Sequence, residues 1–465
     1  MAVDAALHAA RRLSFGPTPD LVAEIRKVGV AGWVETQLKP EAITDLETDL
    51  TVAGYVYPAL PPVALLLGDQ DYTKAMESQR SVATVRQLMS NRQLFEVMAA
   101  FWADHFSIYG RHQIAYRWRA WDDREVARKF ALATFPELLT ASAHSPAMLS
   151  YLDNTISVGK NPNENYAREV MELHTLGAYG GYTEDDVHNA ALALTGWGID
   201  PNYATFQFDP GKHYVGRLRV MGWTHANKAG DGEAVGQSLL DYLAHHPSTA
   251  RHLATKLCRR FVADSPPGGL TGRVAKTLQG SGMSIPAAIR TITSSSEFKT
   301  TIGTKYRRPA EWMIASLRAV GSKPNLNPFP ADRHPVVNIL QSLGQQPFGW
   351  VPPNGFPDIA TKWESTAQTL NRWNFAQAIA NGSVGDMGGY DPATLLGSPA
   401  PTTAGELVER MYVRIVGQKP TPDEKAGLLE IVGRLDGAGV NQTVITASLR
   451  PLVAMILSTP TMQVR

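Results

Sequence analysis

The segment with the densest set of potentially reactive side chains covers residues 161–177, with the sequence NPNENYAREVMELHTLG. On an α-helix that turns about 100° per residue, its polar side chains share one face, within about 140° of arc: Glu164, Asn165, Arg168, Glu169 and Glu172. A guanidinium beside two carboxyl groups can hold one of them ionised and in place for acid–base chemistry. The segment therefore predicts Glu169 and Glu172 as acid–base residues. Arg168 would orient one of them or bind an anionic group, and Asn165 would donate a hydrogen bond.

The same face also has a structural interpretation. Arg168 is four residues from both Glu164 and Glu172, and such pairs stabilise an exposed helix by roughly 0.2–0.5 kcal/mol each. In that case the protein is a binding or scaffolding protein whose Glu–Arg network only supports the fold. What lies in front of the face distinguishes the two hypotheses: free carboxylate oxygens at a cavity favour an enzyme, whereas a fully paired network away from any cleft favours a scaffold.

Two histidines are candidates for the same chemistry. On the helical wheel His174 lies about 140° from Glu169, on the apolar side, which argues against a metal site built from Glu169, Glu172 and His174 and favours a hydrogen-bonded core histidine. His105 lies on the apolar stripe of a long helix predicted over 79–109. It is either a core histidine or a catalytic imidazole at the floor of a pocket. A metal-dependent enzyme stays a third hypothesis, without a strong ligand spacing behind it.

Residues 321–359 are rich in proline, glycine and aromatic residues, and long irregular stretches of this kind are commonly binding loops or lids. Trp350 and Phe356 in this stretch either wall a pocket or pack the loop onto the core. The predicted substrate-binding residues are Glu164, Asn165, Trp197, His213, Trp350 and Phe356.

The elements that must position these residues are mainly helical. Asn163 suits the N-cap of the central helix and Gly177 its C-terminal end. The fold class predicted is a mainly α, multi-helix globular protein with a small β-hairpin around 203–223, turning at Asp209-Pro210-Gly211. The predicted organisation is an N-terminal helical unit (1–38), a main domain (79–380), a linker (381–403) and a C-terminal helical segment (404–465) packed on the main domain.

Composition excludes several classes of protein. Lys plus Arg total 44 against 43 Asp plus Glu, so no net charge attracts nucleic acid, and we expect no nucleic-acid partner. The single cysteine, Cys258, excludes an intramolecular disulfide and a multi-thiolate zinc site. No apolar run reaches about 18 residues, which predicts no membrane span and a soluble protein, cytoplasmic as given or exported if a signal segment is missing. The sequence identifies no cofactor.

The motifs along the chain resemble those of the bacterial DUF1800 family, whose function is generally unknown. The resemblance covers nearly the whole chain and rests on FWADHF (101–106), HSPAML (144–149), LDN (152–154), residues 162–177, GYTEDDV (181–187), ALTGW (193–197) and GFPD (355–358). Relatives are often exported and encoded beside DUF1501 proteins, so the resemblance implies a DUF1501-type partner. This chain departs from its relatives at Asp104, where Asn is usual, and in the hairpin at His213-Tyr214 and Leu218.

These observations favour an enzyme, a hydrolase or transferase acting on an unidentified small-molecule or polymer substrate. Glu169, Glu172, Arg168 and His105 are its predicted catalytic residues.

Overall fold

The computed structural model describes residues 4–67, 71–112, 114–322, 335–383 and 390–465, and most of these residues are helical. The helices of the first part are α1 Ala5–Leu13, α2 Pro19–Gln37, α3 Leu46–Ala53, α4 Pro62–Leu67, α5 Asp71–Met89, α6 Gln93–His105, α7 Arg119–Asp122, α8 Phe135–Ala143, α9 Pro146–Tyr151, α10 Glu164–Glu169 and α11 Glu184–Ala193. π-Helical turns follow α7 at Asp123–Arg128 and α10 at Val170–His174. The predicted fold class, mainly α, is confirmed.

Four short strands separate this part from the remaining helices: β1 Trp197–Ile199, β2 Phe206–Phe208, β3 Leu218–Val220 and β4 Trp223–His225. The later helices are α12 Glu233–His245, α13 Pro247–Phe261, α14 Gly268–Gly280, α15 Ile285–Ser294, α16 Ser296–Thr300, α17 Pro309–Val320, α18 Pro335–Ser342, α19 Thr366–Asn381, α20 Ala404–Val416, α21 Pro422–Val432, α22 Gln442–Ser458 and α23 Pro460–Gln463. Short 3₁₀ turns occur at Pro40–Ala42, Tyr57–Ala59, Ala115–Trp118, Asn154–Ile156, Ala360–Lys362 and Pro392–Leu395.

The small β structure is present, but its pairing differs from the predicted hairpin. β1 pairs antiparallel with β2, and β3 with β4, so Asp209-Pro210-Gly211 does not join two paired strands. Instead, the Asp209 side chain accepts a hydrogen bond from Gly211 N–H (2.9 Å), and Gly159 N–H donates to Lys212 O (2.8 Å). The backbone after β2 is therefore tied to the loop before the central helix.

The long helix predicted over 79–109 is broken between α5 and α6. Asp45 accepts a hydrogen bond from the Ser90 hydroxyl and another from Asn91 N–H (3.0 Å), while Ser90 Oγ accepts from Arg92 N–H (3.0 Å). Side chains that bond backbone groups in this way compete with the helical ladder. The apolar pattern continues across the break, and it therefore predicted one helix where the structure has two.

The hydrophobic core is continuous from Ala6 in α1 to Met462 in α23. The irregular stretch predicted over 321–359 contains α18, and its residues 323–334 lie outside the described part. Residues 384–389 of the predicted linker also lie outside it. Among the helices that the structure describes, none combines the length and the apolar character needed to cross a bilayer.

Candidate functional site

The central segment begins as predicted and then changes helix type. Asn163 caps α10 and accepts a hydrogen bond from Asn165 N–H (2.9 Å). After Glu169 the helix widens into the π-helical turn at Val170–His174. Such turns are rare and occur frequently at functional sites. The regular helical wheel therefore applies only as far as Glu169, and the direction of Glu172 depends on the π turn.

Side chains from distant helices hold this π turn at its carbonyl groups. His105 Nε2 donates to His174 O (3.0 Å) and His252 Nε2 donates to Leu173 O (3.2 Å). The Thr175 hydroxyl donates to Val170 O (2.7 Å). A carbonyl oxygen only accepts, so the Nε2 atom of each histidine carries the hydrogen. His105, predicted as a catalytic residue, thus contacts the backbone behind the carboxylates.

The second nitrogen of His105 accepts a hydrogen bond from Lys256 in α13, with Nζ 2.8 Å from Nδ1. Burial, together with the positive charge of Lys256, lowers the pKa of His105 well below its usual value. Burial also lowers the pKa of His174 to about 3 and that of His252 to about 4. All three imidazoles are therefore neutral at pH 7.

His174 is 1% exposed, as expected from its place on the apolar side of the wheel. Its ring lies 6.1 Å from that of His105. Within the described ranges, no set of three His, Cys, Asp or Glu side chains is arranged to hold a metal ion.

Arg168 does not orient Glu172. It forms a two-pronged ion pair with Glu184 at the start of α11 (2.6 and 2.9 Å), and a longer contact with Glu164 (3.4 Å). Glu164 also accepts a hydrogen bond from His188 (2.9 Å). Glu184 and His188 are exposed and Arg168 and Glu164 are partly exposed, so this part of the face matches the structural interpretation. Asn165 is exposed beside it.

Glu169 and Glu172 form a separate, half-buried pair. The Tyr182 hydroxyl donates to Glu172 Oε2 (3.4 Å), whereas no side-chain hydrogen bond or ion pair to Glu169 is found in the part of the chain that the structure describes. Burial raises the pKa of Glu169, the negative charge of Glu172 raises it further, and Arg168 opposes the shift. Glu169 is therefore a carboxyl group with an environment that favours its protonated form.

Two tyrosines belong to the same surroundings. Burial raises the pKa of Tyr151 to about 12, with a further contribution from the charge of Glu169. Burial and Glu172 likewise raise the pKa of Tyr182 to about 12. The Tyr151 hydroxyl donates to Val351 O (2.6 Å), which places the loop after α18 beside this carboxylate pair.

The remaining predicted substrate-binding residues are not brought to this pair by direct contacts. Trp197 is 1% exposed and packs against His144 and Phe206 in the core. His213 contacts Thr195 O (2.8 Å) and Asn227 Oδ1 (3.0 Å), which joins the loop after β2 to the loop after β4.

Trp350 and Phe356 pack against each other, with ring centroids 5.2 Å apart, and Trp350 donates to Asn354 Oδ1 (2.8 Å). Phe356 also lines a cavity of about 70 Å³ together with Asp104 and Arg308. Larger cavities of about 700 and 880 Å³ lie between α2 and α15 and between α2 and α20. None of these three is lined by Glu169 or Glu172, so the carboxylate pair does not face an enclosed cavity among them.

Sequence reasoning from spacing missed a buried charged network at the C-terminal end of α6. Glu311 forms ion pairs with Arg260, Arg308 (3.1 Å) and Arg465 (3.5 Å). Arg308 also pairs with Asp104 (2.9 Å). Apart from Arg308 and Glu311, which are three residues apart, its members are distant in the chain, so local spacing does not indicate the network.

The GFPD motif joins the same network. Asp358 lies 4.0 Å from the Arg260 guanidinium of this network and 3.0 Å from Lys305 Nζ. A Cβ at Gly355 would lie 2.0 Å from the Asp104 carbonyl oxygen, and its φ of +72° suits glycine. The resemblance to a family was therefore the one signal that linked residues 101–106, 174 and 355–358, which meet around the end of α6.

Residues 8–464 match the model of a family described as a protein of unknown function, DUF1800. No curated protein and no solved structure matches the chain. The match extends over nearly the entire sequence, from the middle of α1 to the last residues after α23, and the chain belongs to the DUF1800 family.

Proposed function

We propose that the protein is an acid–base enzyme, a hydrolase or transferase, in which Glu169 is the general acid and Glu172 the general base. The observation that supports this most directly is the half-buried Glu169 carboxyl group. It has no hydrogen-bond or ion-pair partner within the described residues, and its pKa is raised by burial and by Glu172. A carboxyl group whose pKa is raised by burial and by a neighbouring negative charge is typical of a general acid.

Each residue then has a distinct role. Glu169 donates a proton to a leaving group, and Glu172, which accepts a hydrogen bond from Tyr182, accepts a proton from water or an acceptor alcohol. The π turn sets the direction of Glu172, and His105 and His252 hold that turn from behind. Arg168 and Glu164 stabilise the start of the helix through Glu184 and His188.

A non-catalytic function is the second candidate, because the Arg168 network is exposed and fully paired. A docking face for another protein, such as the DUF1501-type partner implied by the resemblance, would use that network rather than Glu169. The two candidates therefore depend on different residues of the same segment.

A screen of chromogenic esters, phosphate esters and glycosides tests the proposal. For a substrate that is turned over, Glu169→Gln and Glu172→Gln each lower kcat by about 10²–10⁴-fold, the usual contribution of a positioned acid or base. Glu184→Gln is the matched control, because it removes one carboxylate from the Arg168 network alone.

Circular dichroism checks that each variant is folded. Retention of the full rate by both Glu169→Gln and Glu172→Gln contradicts the proposal. A second outcome also contradicts it: no substrate is turned over, and the protein binds a partner whose binding is abolished by Glu184→Gln. This result would identify a docking face.

A further inference from the structure

A lysine that the acid–base proposal does not use lies beside three neutral histidines. Lys256 Nζ donates to His105 Nδ1 (2.8 Å), and the His105 ring lies 6.1 Å from His174 and 6.2 Å from His252. The side chain is mostly enclosed, but the residue keeps partial access to solvent. Among the residues that the structure describes, no carboxylate oxygen lies within 4.0 Å of Nζ.

The absence of a nearby carboxylate distinguishes Lys256 from Lys305, the other enclosed lysine of the region. Lys305 is held by two carboxylates, with Nζ 2.7 Å from Asp264 and 3.0 Å from Asp358. Asp104 and Asp358 attract Lys256 only from beyond ion-pair distance, and Arg259 repels it. An enclosed ammonium with a neutral imidazole as its partner loses its proton readily, and burial lowers the pKa of Lys256 to about 8.

We propose that Lys256 is a nucleophilic amine that forms an imine with the carbonyl group of a small aldehyde or ketone. Lysines freed of their charge by an apolar or cationic environment are the ones that form such adducts. The proposal is independent of the roles given to Glu169 and Glu172.

The ammonium first releases a proton to solvent, and His105 Nδ1, which accepts a hydrogen bond from Nζ, orients the neutral nitrogen. The neutral nitrogen attacks the carbonyl carbon, a C–N bond forms, and the carbonyl oxygen takes up a proton. The resulting carbinolamine loses its hydroxyl group as water and the nitrogen loses its remaining proton, so that aldehyde and amine yield an imine and one water molecule.

Reductive trapping tests this directly in the full chain. The protein is incubated with acetaldehyde and cyanoborohydride, which supplies hydride to the imine, and ethylated lysines are quantified by peptide mass spectrometry. We expect ethylation at Lys256 at least about tenfold faster at pH 7.5 than at ordinary surface lysines, whose pKa near 10.4 leaves about 0.1% of the amine neutral. Lys305 is the internal control and is expected to be labelled far more slowly than Lys256, because its side chain is only 1% exposed and Asp264 and Asp358 hold its ammonium group.

The pH profile gives a second readout that needs no variant. Ethylation of Lys256 rises to a plateau near pH 8–9, whereas ethylation of surface lysines continues to rise above pH 9.5.

Labelling of Lys256 no faster than that of surface lysines, or a rate that rises with theirs, overturns the proposal. Glu169→Gln is expected to label at the wild-type rate. A negative labelling result therefore does not contradict the acid–base proposal, and a negative enzyme screen does not contradict the imine proposal.

Discussion

Two charged networks in this protein use the same types of residue in opposite surroundings. Around α10, Glu164, Arg168 and Glu184 pair in solvent, and the Glu184 side chain is 77% exposed. At the end of α6 and the start of α17, Glu311 and Arg260 pair with side chains only 5% and 2% exposed. Exposed ion pairs contribute little to stability because water screens and solvates both partners. A buried charge has lost its water, so its stability depends on each of its ion-pair and hydrogen-bond partners.

The comparison explains why the charge pattern of the central helix predicted the two candidate carboxylates but not the partner of Arg168, which is Glu184. The most conspicuous pattern, Glu164 to Arg168, forms a surface network. The carboxyl group with perturbed chemistry, Glu169, is the one with no partner in the described residues. The raised pKa of Glu169 follows from burial and from the charge of Glu172, and residue spacing alone does not indicate burial.

Replacement of Glu311 by Gln is expected to have the largest effect on stability. It leaves Arg260, Arg308 and Arg465 without their shared buried carboxylate, and breaking a buried pair costs about 3–5 kcal/mol. Urea denaturation at pH 7 measures the loss in the free energy of unfolding. A loss below about 1 kcal/mol would contradict the distinction between the two networks.

The same residue makes a pH prediction. Burial opposes ionisation of Glu311, but Arg260, Arg465 and Arg308 outweigh it and hold its pKa well below the usual value. The folded state therefore binds this proton less tightly than the unfolded state. The stabilisation is complete above the unfolded pKa of about 4.3 and is lost as the pH falls below it. Between pH 7 and 3 the wild type is expected to lose more stability than Glu311→Gln.

A mutation at His105 is expected to have an intermediate effect. His105→Leu leaves the His174 carbonyl and the Lys256 ammonium without partners, and each unpaired buried group costs about 1–3 kcal/mol. The additional substitution Lys256→Met removes the unpaired ammonium group and is expected to restore part of the free energy of unfolding lost in His105→Leu. A double-mutant cycle by urea denaturation measures this coupling, and strictly additive losses would exclude it.

Glu169→Gln is expected to have a smaller effect, of opposite sign. Because the pKa of Glu169 is raised in the folded state, its ionisation lowers stability as the pH rises from the unfolded value through the folded one. The variant should therefore be more stable than wild type at pH 7 and equal to it near pH 4. Glu172→Gln removes the neighbouring charge and is expected to lower the pKa of Glu169, which carboxyl-carbon NMR titration detects.

Glu184→Gln is expected to have the smallest effect. It removes the two-pronged ion pair with Arg168, but many surface pairs contribute nothing measurable to stability. The thermal midpoint should match that of the wild type within error at both low and high salt. A clear, salt-dependent destabilisation would show that the surface network supports the segment after all.

Much of the secondary structure was predictable because its signals are local. Asn163 caps α10, Thr183 and Asp186 form the capping box of α11, and Gly177 adopts a positive φ of 84° at the end of the segment. The break between α5 and α6 was missed because Asp45, some 45 residues away, receives the hydrogen bonds that interrupt the helix. The small β structure was predicted, but its pairing was not, because β2 pairs with the preceding strand β1 and β3 with β4.

The sequence by itself determined a mainly helical chain, the caps of its central helices and the amphipathic face that carries Glu169 and Glu172. The tertiary structure alone decided the chemistry of that face. His105 and His252 donate to carbonyl groups of the π turn that are 69 and 79 residues away in the sequence, and Glu184 forms an ion pair with Arg168, 16 residues before it. A carboxyl group's pKa depends on the water and charges around it, and folding brings these together from distant parts of the chain.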